Sequence, residues 1–124
     1  MENLDKFWKA LTTLKPGVQA SVHGDVTSQE DFDKVEWTIG EENAMAIITT
    51  TNPHSELTWD LVEAEMIRLQ AEYDAQDYAR KREAAYPLLK DFAEAYTEKE
   101  FGGDATKMDA YKIKYEKVRS DNPK

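Results

Sequence analysis

From Thr58 to Tyr86 the chain runs for 29 residues without a glycine or a proline. Within that stretch Trp59, Val62, Met66, Leu69 and Tyr73 recur at spacings of 3, 4, 3 and 4. This is the period of one face of an α-helix, or of a short coiled-coil seam. The start is well signalled. The Thr58 hydroxyl can cap the first turn, Leu57 and Val62 have the spacing of a hydrophobic staple, and Asp60 and Glu63 sit where the helix dipole favours negative charge. One helix over residues 58–86 would measure about 43 Å at 1.5 Å per residue, longer than a domain of 124 residues is wide. Its second half, Asp74 to Ala85, is highly charged and has few large apolar residues. That half is expected to be thinly packed, projecting into solvent or lying against a partner.

The flanking segments complete an α+β pattern. Leu4, Phe7, Trp8, Leu11 and Leu14 make an N-terminal helix face, with Asn3 as its cap and Lys15-Pro16-Gly17 as its stop. Three strand-like runs follow: Val18–His23, Val35–Ile39 with Val35, Trp37 and Ile39 on one face, and Ala44–Thr51, rich in β-branched residues. Gly40-Glu41-Glu42-Asn43 suits a hairpin loop between the second and third. After Pro87, Leu88, Leu89, Phe92, Ala95 and Tyr96 form a helical stripe ended by Phe101-Gly102-Gly103. Asp104 can cap a last helix carrying Met108, Tyr111, Tyr115 and Val118. The expected architecture is an N-terminal helix, a small antiparallel three-stranded meander, a long helix and a C-terminal helical hairpin. It divides as residues 1–57 and 58–124, in one compact unit or two subdomains.

The sequence offers little chemistry. It has no cysteine, hence no disulfide, thiolate metal site or cysteine nucleophile. His23 and His54 are the only histidines and neither has metal-ligand spacing. Asp31-Phe32-Asp33 and Glu41-Glu42 lack the spacing of a calcium loop and read as solvated acidic loops. The serines lack a nucleophile-elbow context, and the glycines form no phosphate-cradling loop. No catalytic residue, metal, cofactor or small-molecule substrate is expected. The net charge of −9 disfavours binding to phosphate backbones. No apolar run approaches the length of a membrane helix, and the acidic start, Met1 to Asp5, is unlike a signal peptide. A soluble protein with no nucleic-acid or membrane partner is expected.

The best clue to a surface is the basic cluster Arg80-Lys81-Arg82 between Tyr78 and Tyr86. Tyrosine and arginine are enriched at interfaces. The competing reading makes the tyrosines partly buried core with wet hydroxyls and lets Asp77 and Glu83 neutralise the basic residues. Tyr73, Tyr78, Arg80, Arg82, Tyr86 and Phe101 are the candidate protein-interface residues.

The wording of residues 57–87, from Leu57-Thr58-Trp59 through Arg68-Leu69-Gln70-Ala71-Glu72-Tyr73 to Arg82-Glu83-Ala84-Ala85-Tyr86-Pro87, resembles the C-terminal part of small tail-associated and virion proteins of tailed bacteriophages, including tail-fibre assembly-like proteins. Leu14-Lys15-Pro16-Gly17 and the Trp37 strand resemble the N-terminal half of the same proteins. Met45–Thr51 looks like an insertion, and Phe92-Ala93-Glu94 replaces the usual Gln-Leu-Asp. The resemblance implies a non-enzymatic structural component of tail, neck, baseplate or fibre, found in the virion and, during assembly, in the host cytoplasm. Its partners would be other phage structural proteins or further copies of itself. Two alternatives accompany it: an assembly accessory or chaperone absent from the mature particle, and an acidic decoy that inhibits a host nucleic-acid enzyme.

Overall fold

A computed structural model describes residues 1–124. The elements run α1 (Asn3–Leu14), β1 (Ala20–Ser21), α2 (Gln29–Asp33), β2 (Glu36–Glu42), β3 (Met45–Thr49), α3 (Trp59–Ala75), α4 (Asp77–Ala85), α5 (Leu89–Gly102) and α6 (Thr106–Asp121). The α+β class and the antiparallel order β1-β2-β3 are those expected from the sequence. The chain forms two compact units, Met1–Asp74 and Ala75–Lys124. The division thus falls within the segment 58–86 and not at residue 57.

The core of the first unit assembles where the apolar faces of α1, β2 and α3 meet. Phe7, Leu11, Val35, Trp37, Leu57 and Val62 are fully buried. At its centre sits Phe32. Its ring lies 6.5 Å from Phe7, 5.7 Å from Trp37 and 5.9 Å from Trp59. The segment Asp31-Phe32-Asp33, read above as a solvated loop, is therefore a one-turn helix, α2, that delivers an aromatic ring to the core. Local bonds build it. Ser28 Oγ accepts from the Asp31 amide at 3.2 Å, and Asp31 Oδ2 accepts from both the amide and the hydroxyl of Thr27 at 3.0 Å. The Ser28 bond satisfies one orphan donor of the first turn, and the Asp31 carboxylate ties Thr27, the residue before the cap, to the helix.

Asn3 does not cap α1. The N-cap position falls on Glu2, which makes no side-chain cap bond. Asn3 instead bonds reciprocally to Val26: its Nδ2 donates to the Val26 carbonyl at 3.1 Å, and its Oδ1 accepts from the Val26 amide at 2.8 Å. This clamp pins the loop before α2 to the start of α1 and lets Val26 reach the core. Thr58 does behave as expected, accepting from the Leu61 amide at 3.3 Å.

In the sheet, β1 is only two residues long, pairing Ala20 with Trp37 and Ser21 with Glu36. β2 and β3 pair along their lengths, but the register shifts between Thr38 and Gly40. Ile39 is the extra residue of this bulge. It therefore leaves the face it was expected to share with Val35 and Trp37 and is 54 % exposed. The connecting loop is also tighter than the Gly40–Asn43 turn inferred from sequence. Glu42 pairs with Met45, leaving a two-residue turn at Asn43-Ala44 with φ of 53° and 62°. Positive φ at both positions is the type I′ geometry that matches strand twist. Asn tolerates it, but Ala carries a Cβ that crowds the following carbonyl. Ala44→Gly is expected to raise stability by about 1 kcal/mol, seen as a shift of the urea midpoint with the slope unchanged.

The helix expected over 58–86 is interrupted at Gln76, with φ −93° and ψ 2°. Neither glycine nor proline is involved. The apolar stripe simply ends, and the two halves take different cores. Trp59, Val62 and Met66 of α3 are buried in the first unit, whereas α4 buries none of its residues and packs on α6. Asp77 favours a new N-terminus by its charge in the first turn.

The second unit is a run of three helices. Tyr86 adopts the extended conformation imposed by Pro87. Gly103, with φ 69°, provides the left-handed cap of α5, and Asp104 Oδ1 accepts from the Thr106 amide at 2.9 Å at the start of α6. Cross-helix contacts give the direction of α6. Lys107 meets Glu94 and Glu98, Tyr111 meets Phe92, Tyr115 meets Tyr86, and the Asn122 carbonyl meets Arg82. The partner numbers fall as α6 advances, so it runs antiparallel to α5 and then alongside α4.

Candidate functional site

Besides Leu61 and Ile67 on α3, which are exposed as well, two surfaces carry apolar side chains that the chain leaves uncovered. The larger is on the second unit. Three helices there bury only Ala95, Met108 and Val118. The α6 stripe is buried at its two ends, Met108 and Val118, while Tyr111 is half-buried and Tyr115 is exposed. The α5 stripe is largely uncovered. Of the residues expected to pack, only Ala95 is buried, while Leu88 and Leu89 are 70 % and 80 % exposed, and Phe92 and Tyr96 are also exposed. The physical reason is a shortage of partners. α4 has no apolar stripe to offer, so α5 has only one helix face to pack against. Phe101 is 84 % exposed at the C-terminal end of α5, and Ile113 is exposed on α6.

The six candidate interface residues fall into different roles. Tyr78 is half-buried with the Arg82 guanidinium 5.0 Å from its ring centre. Arg82 also donates from Nε to the Asn122 carbonyl at 2.8 Å, which ties α4 to the end of α6. Tyr86 stacks on Tyr115 at 5.0 Å with 13° between planes. Arg80 reaches Asp77 at 3.5 Å, and Lys81 reaches the same carboxylate at 2.7 Å. Tyr73 is exposed, near the end of α3 in the first unit. Phe101 alone is displayed almost completely. Sequence reasoning missed Leu88, Leu89 and Ile113 as surface residues. The signal that could have found them was the mismatch between an apolar α5 and the charged wording of 74–85.

A second tier of rings lies along α5 and α6: Phe92 is 5.3 Å from Tyr111, and Tyr111 is 6.4 Å from Tyr115. These aromatic contacts, worth about 0.5–1.5 kcal/mol each beyond burial, hold a unit whose aliphatic core is small. The unit's charges are balanced as well: eleven Lys/Arg against ten Asp/Glu in residues 75–124, against five and fifteen in residues 1–74. All of the acidic excess therefore belongs to the first unit.

The other uncovered surface is the β2–β3 hairpin. Every residue from Gly40 to Ile48 is exposed, including Met45, Ile47 and Ile48. β3 bonds to β2 on one side only.

The histidines do not converge. His54 packs its ring edge-on to Trp37 at 5.5 Å. His23, 76 % exposed, pairs with Glu36 at 3.2 Å beside an open depression of about 270 Å³ that Asp25, Asp31 and Lys34 also line. Asp31 is committed to the Thr27 amide and hydroxyl, which hold its carboxyl below the ordinary Asp value of 3.8. No group of three or more His, Asp or Glu side chains is placed to hold a metal. No helix is long and apolar enough to cross a membrane.

The shifted carboxylates all act in one direction. Asp104 is lowered by the Thr106 hydroxyl and amide, Glu94 by Lys107, Asp77 by Lys81 and Glu65 by Arg68. A carboxyl whose folded pKa is depressed contributes stability above its unfolded pKa and loses it as pH falls through the folded value. The melting temperature is therefore expected to be flat from about pH 8 to 6 and to fall below about pH 4. Scanning calorimetry across that range measures it, and a rise on acidification would contradict these shifts.

No protein-family model, curated protein or solved structure matches the chain.

Proposed function

We propose that this protein is a non-enzymatic bacteriophage component that works through protein–protein interfaces, with the second unit as its principal docking element. The observation that carries the reading is the uncovered apolar surface of α5. A helix in a globular protein buries a stripe about 100° wide, and α5 buries one alanine. Contiguous apolar patches on soluble proteins mark binding sites, and Leu88, Leu89, Phe92 and Tyr96, exposed on one side of α5, supply the aliphatic and aromatic anchors, with Phe101 exposed separately at its C-terminal end. The charge-balanced second unit adds no repulsion toward an acidic or a basic partner. The phage setting rests on the resemblance of residues 57–87 to tail-associated and tail-fibre assembly-like proteins. Structural membership of tail, neck, baseplate or fibre is the first form of the proposal, and an assembly accessory absent from the finished particle is the second.

Mass spectrometry of particles purified from the phage encoding the chain separates the two forms. Presence at a fixed stoichiometry supports the structural role. Absence from particles, together with binding of a purified tail or fibre protein, supports the assembly role. The double variant Leu89→Glu, Phe101→Glu is expected to keep its helical circular dichroism and lose either association. A chain absent from particles that binds no phage component overturns the proposal.

A further inference from the structure

We infer that the open edge of β3 pairs with β3 of a second copy, making a two-fold dimer through a continuous six-stranded sheet. The inference is independent of the reading above, because it uses the first unit and not α5.

An edge strand presents unpaired amides and carbonyls that template another strand, and proteins ordinarily blunt such edges with Lys, Pro, an outward bulge or brevity. β3 has none of these. No Asp, Glu, Lys or Arg occurs from Asn43 through Ser55, and the first proline, Pro53, lies beyond the strand. The bulge is in β2, on the inner side. Met45 is 72 % and Ile48 51 % exposed, so both faces of the strand are apolar and bare. The other edge of the sheet is already blunt, since β1 spans two residues.

The choice of occupant follows from charge and symmetry. The first unit carries five Lys/Arg against fifteen Asp/Glu. Two such units repel over most of their surface, and the uncharged hairpin edge is a place where they can meet. Antiparallel pairing about a two-fold at Ile47 sets Ile47 opposite its own copy and Met45 opposite Thr49, so no like charges face each other. The nearest acids, Glu41 and Glu42, lie on β2. In the dimer β2 and its copy are three strand spacings apart, about 14 Å, beyond the screening length of about 10 Å at 0.1 M salt. A basic extended peptide would find no countercharge on β3 itself. Pairing at β3 leaves only the two short β1 edges, so the assembly closes at two copies and does not propagate as a fibre.

The two-residue turn also says which amides are free. Its closing pair, Glu42 and Met45, exchanges both hydrogen bonds, and alternation along the strand then points the Ala46 and Ile48 amides outward. Sedimentation of the full chain is expected to show a monomer–dimer equilibrium, with the Ala46 and Ile48 amides exchanging slowly in the dimer and fast on dilution. Ile47→Lys places like charges opposite each other at the two-fold, and Ala46→Pro removes an outward donor while sparing the β2 ladder. Each is expected to weaken the dimer at least about 100-fold with Trp37 fluorescence unchanged. A chain that stays monomeric at about 0.1 mM overturns the inference, and so does a dimer that survives both variants. Loss of the dimer in Leu89→Glu but not in Ile47→Lys would place the contact on the second unit and overturn this inference alone.

Discussion

Trp37→Ala is expected to cost about 3–5 kcal/mol, enough to consume much of the stability of a unit this size. Trp37 is fully buried on β2, where it meets Phe32 at 5.7 Å and His54 at 5.5 Å and pairs with both Ala20 and Thr49. Removing it opens a cavity that faces α2, the segment before α3 and both neighbouring strands at once. With a urea slope of about 1.5 kcal/mol/M the midpoint should fall by roughly 2–3 M. Trp37→Phe is a sharper probe. The indole Nε1 is buried without a hydrogen-bond partner, so phenylalanine removes a costly donor along with part of the ring. Its cost should be roughly half that of alanine. A loss under about 1 kcal/mol for Trp37→Ala would show that the sheet is not anchored on this residue.

The second large effect is a difference within the molecule. Native-state hydrogen exchange is expected to show amides of α4, α5 and α6 opening with free energies at least about 3 kcal/mol below those of α1, β2 and α3, a protection ratio of roughly 100-fold or more. The first unit buries eleven hydrophobic side chains in one cluster, four of them large aromatics. The second buries three, one of them an alanine. At about 1.5–3 kcal/mol for each large side chain fully buried, the two cores differ by far more than 3 kcal/mol before chain entropy is counted. Surface ion pairs such as Lys107 with Glu94 and Glu98 add little, because exposed pairs contribute about 0–1 kcal/mol. A partner docked on α5 should raise protection in the second unit selectively. Equal protection of the amides of Trp37, Val62, Ala95 and Met108 would mean a single cooperative core, and would remove the energetic argument for a partner.

Signals confined to a turn or two of chain were readable from the residues. The apolar spacing and Pro16 mark α1, the Thr58 hydroxyl starts α3, Pro87 forces Tyr86 out of the helix, and Gly103 ends α5. Each depends on backbone geometry or on neighbours within about four residues, whereas the equally local cap expected of Asn3 was lost to Val26, a distant partner that takes both of its amide atoms. Tertiary structure decided the rest. Phe32 was legible as part of an acidic loop, and only the ring cluster of Phe7, Trp37 and Trp59 makes it a core residue on a helix. Strand alternation put Ile39 inward, and the register against β3 turned it out. The unbroken wording of 58–86 promised one helix, yet its halves follow two cores and part at Gln76. The stripe on α5 was visible, but whether a stripe is buried depends on how much apolar surface faces it, and α4 has none to give. Periodicity tells which residues share a face, while burial is a relation between faces that only the assembled fold supplies.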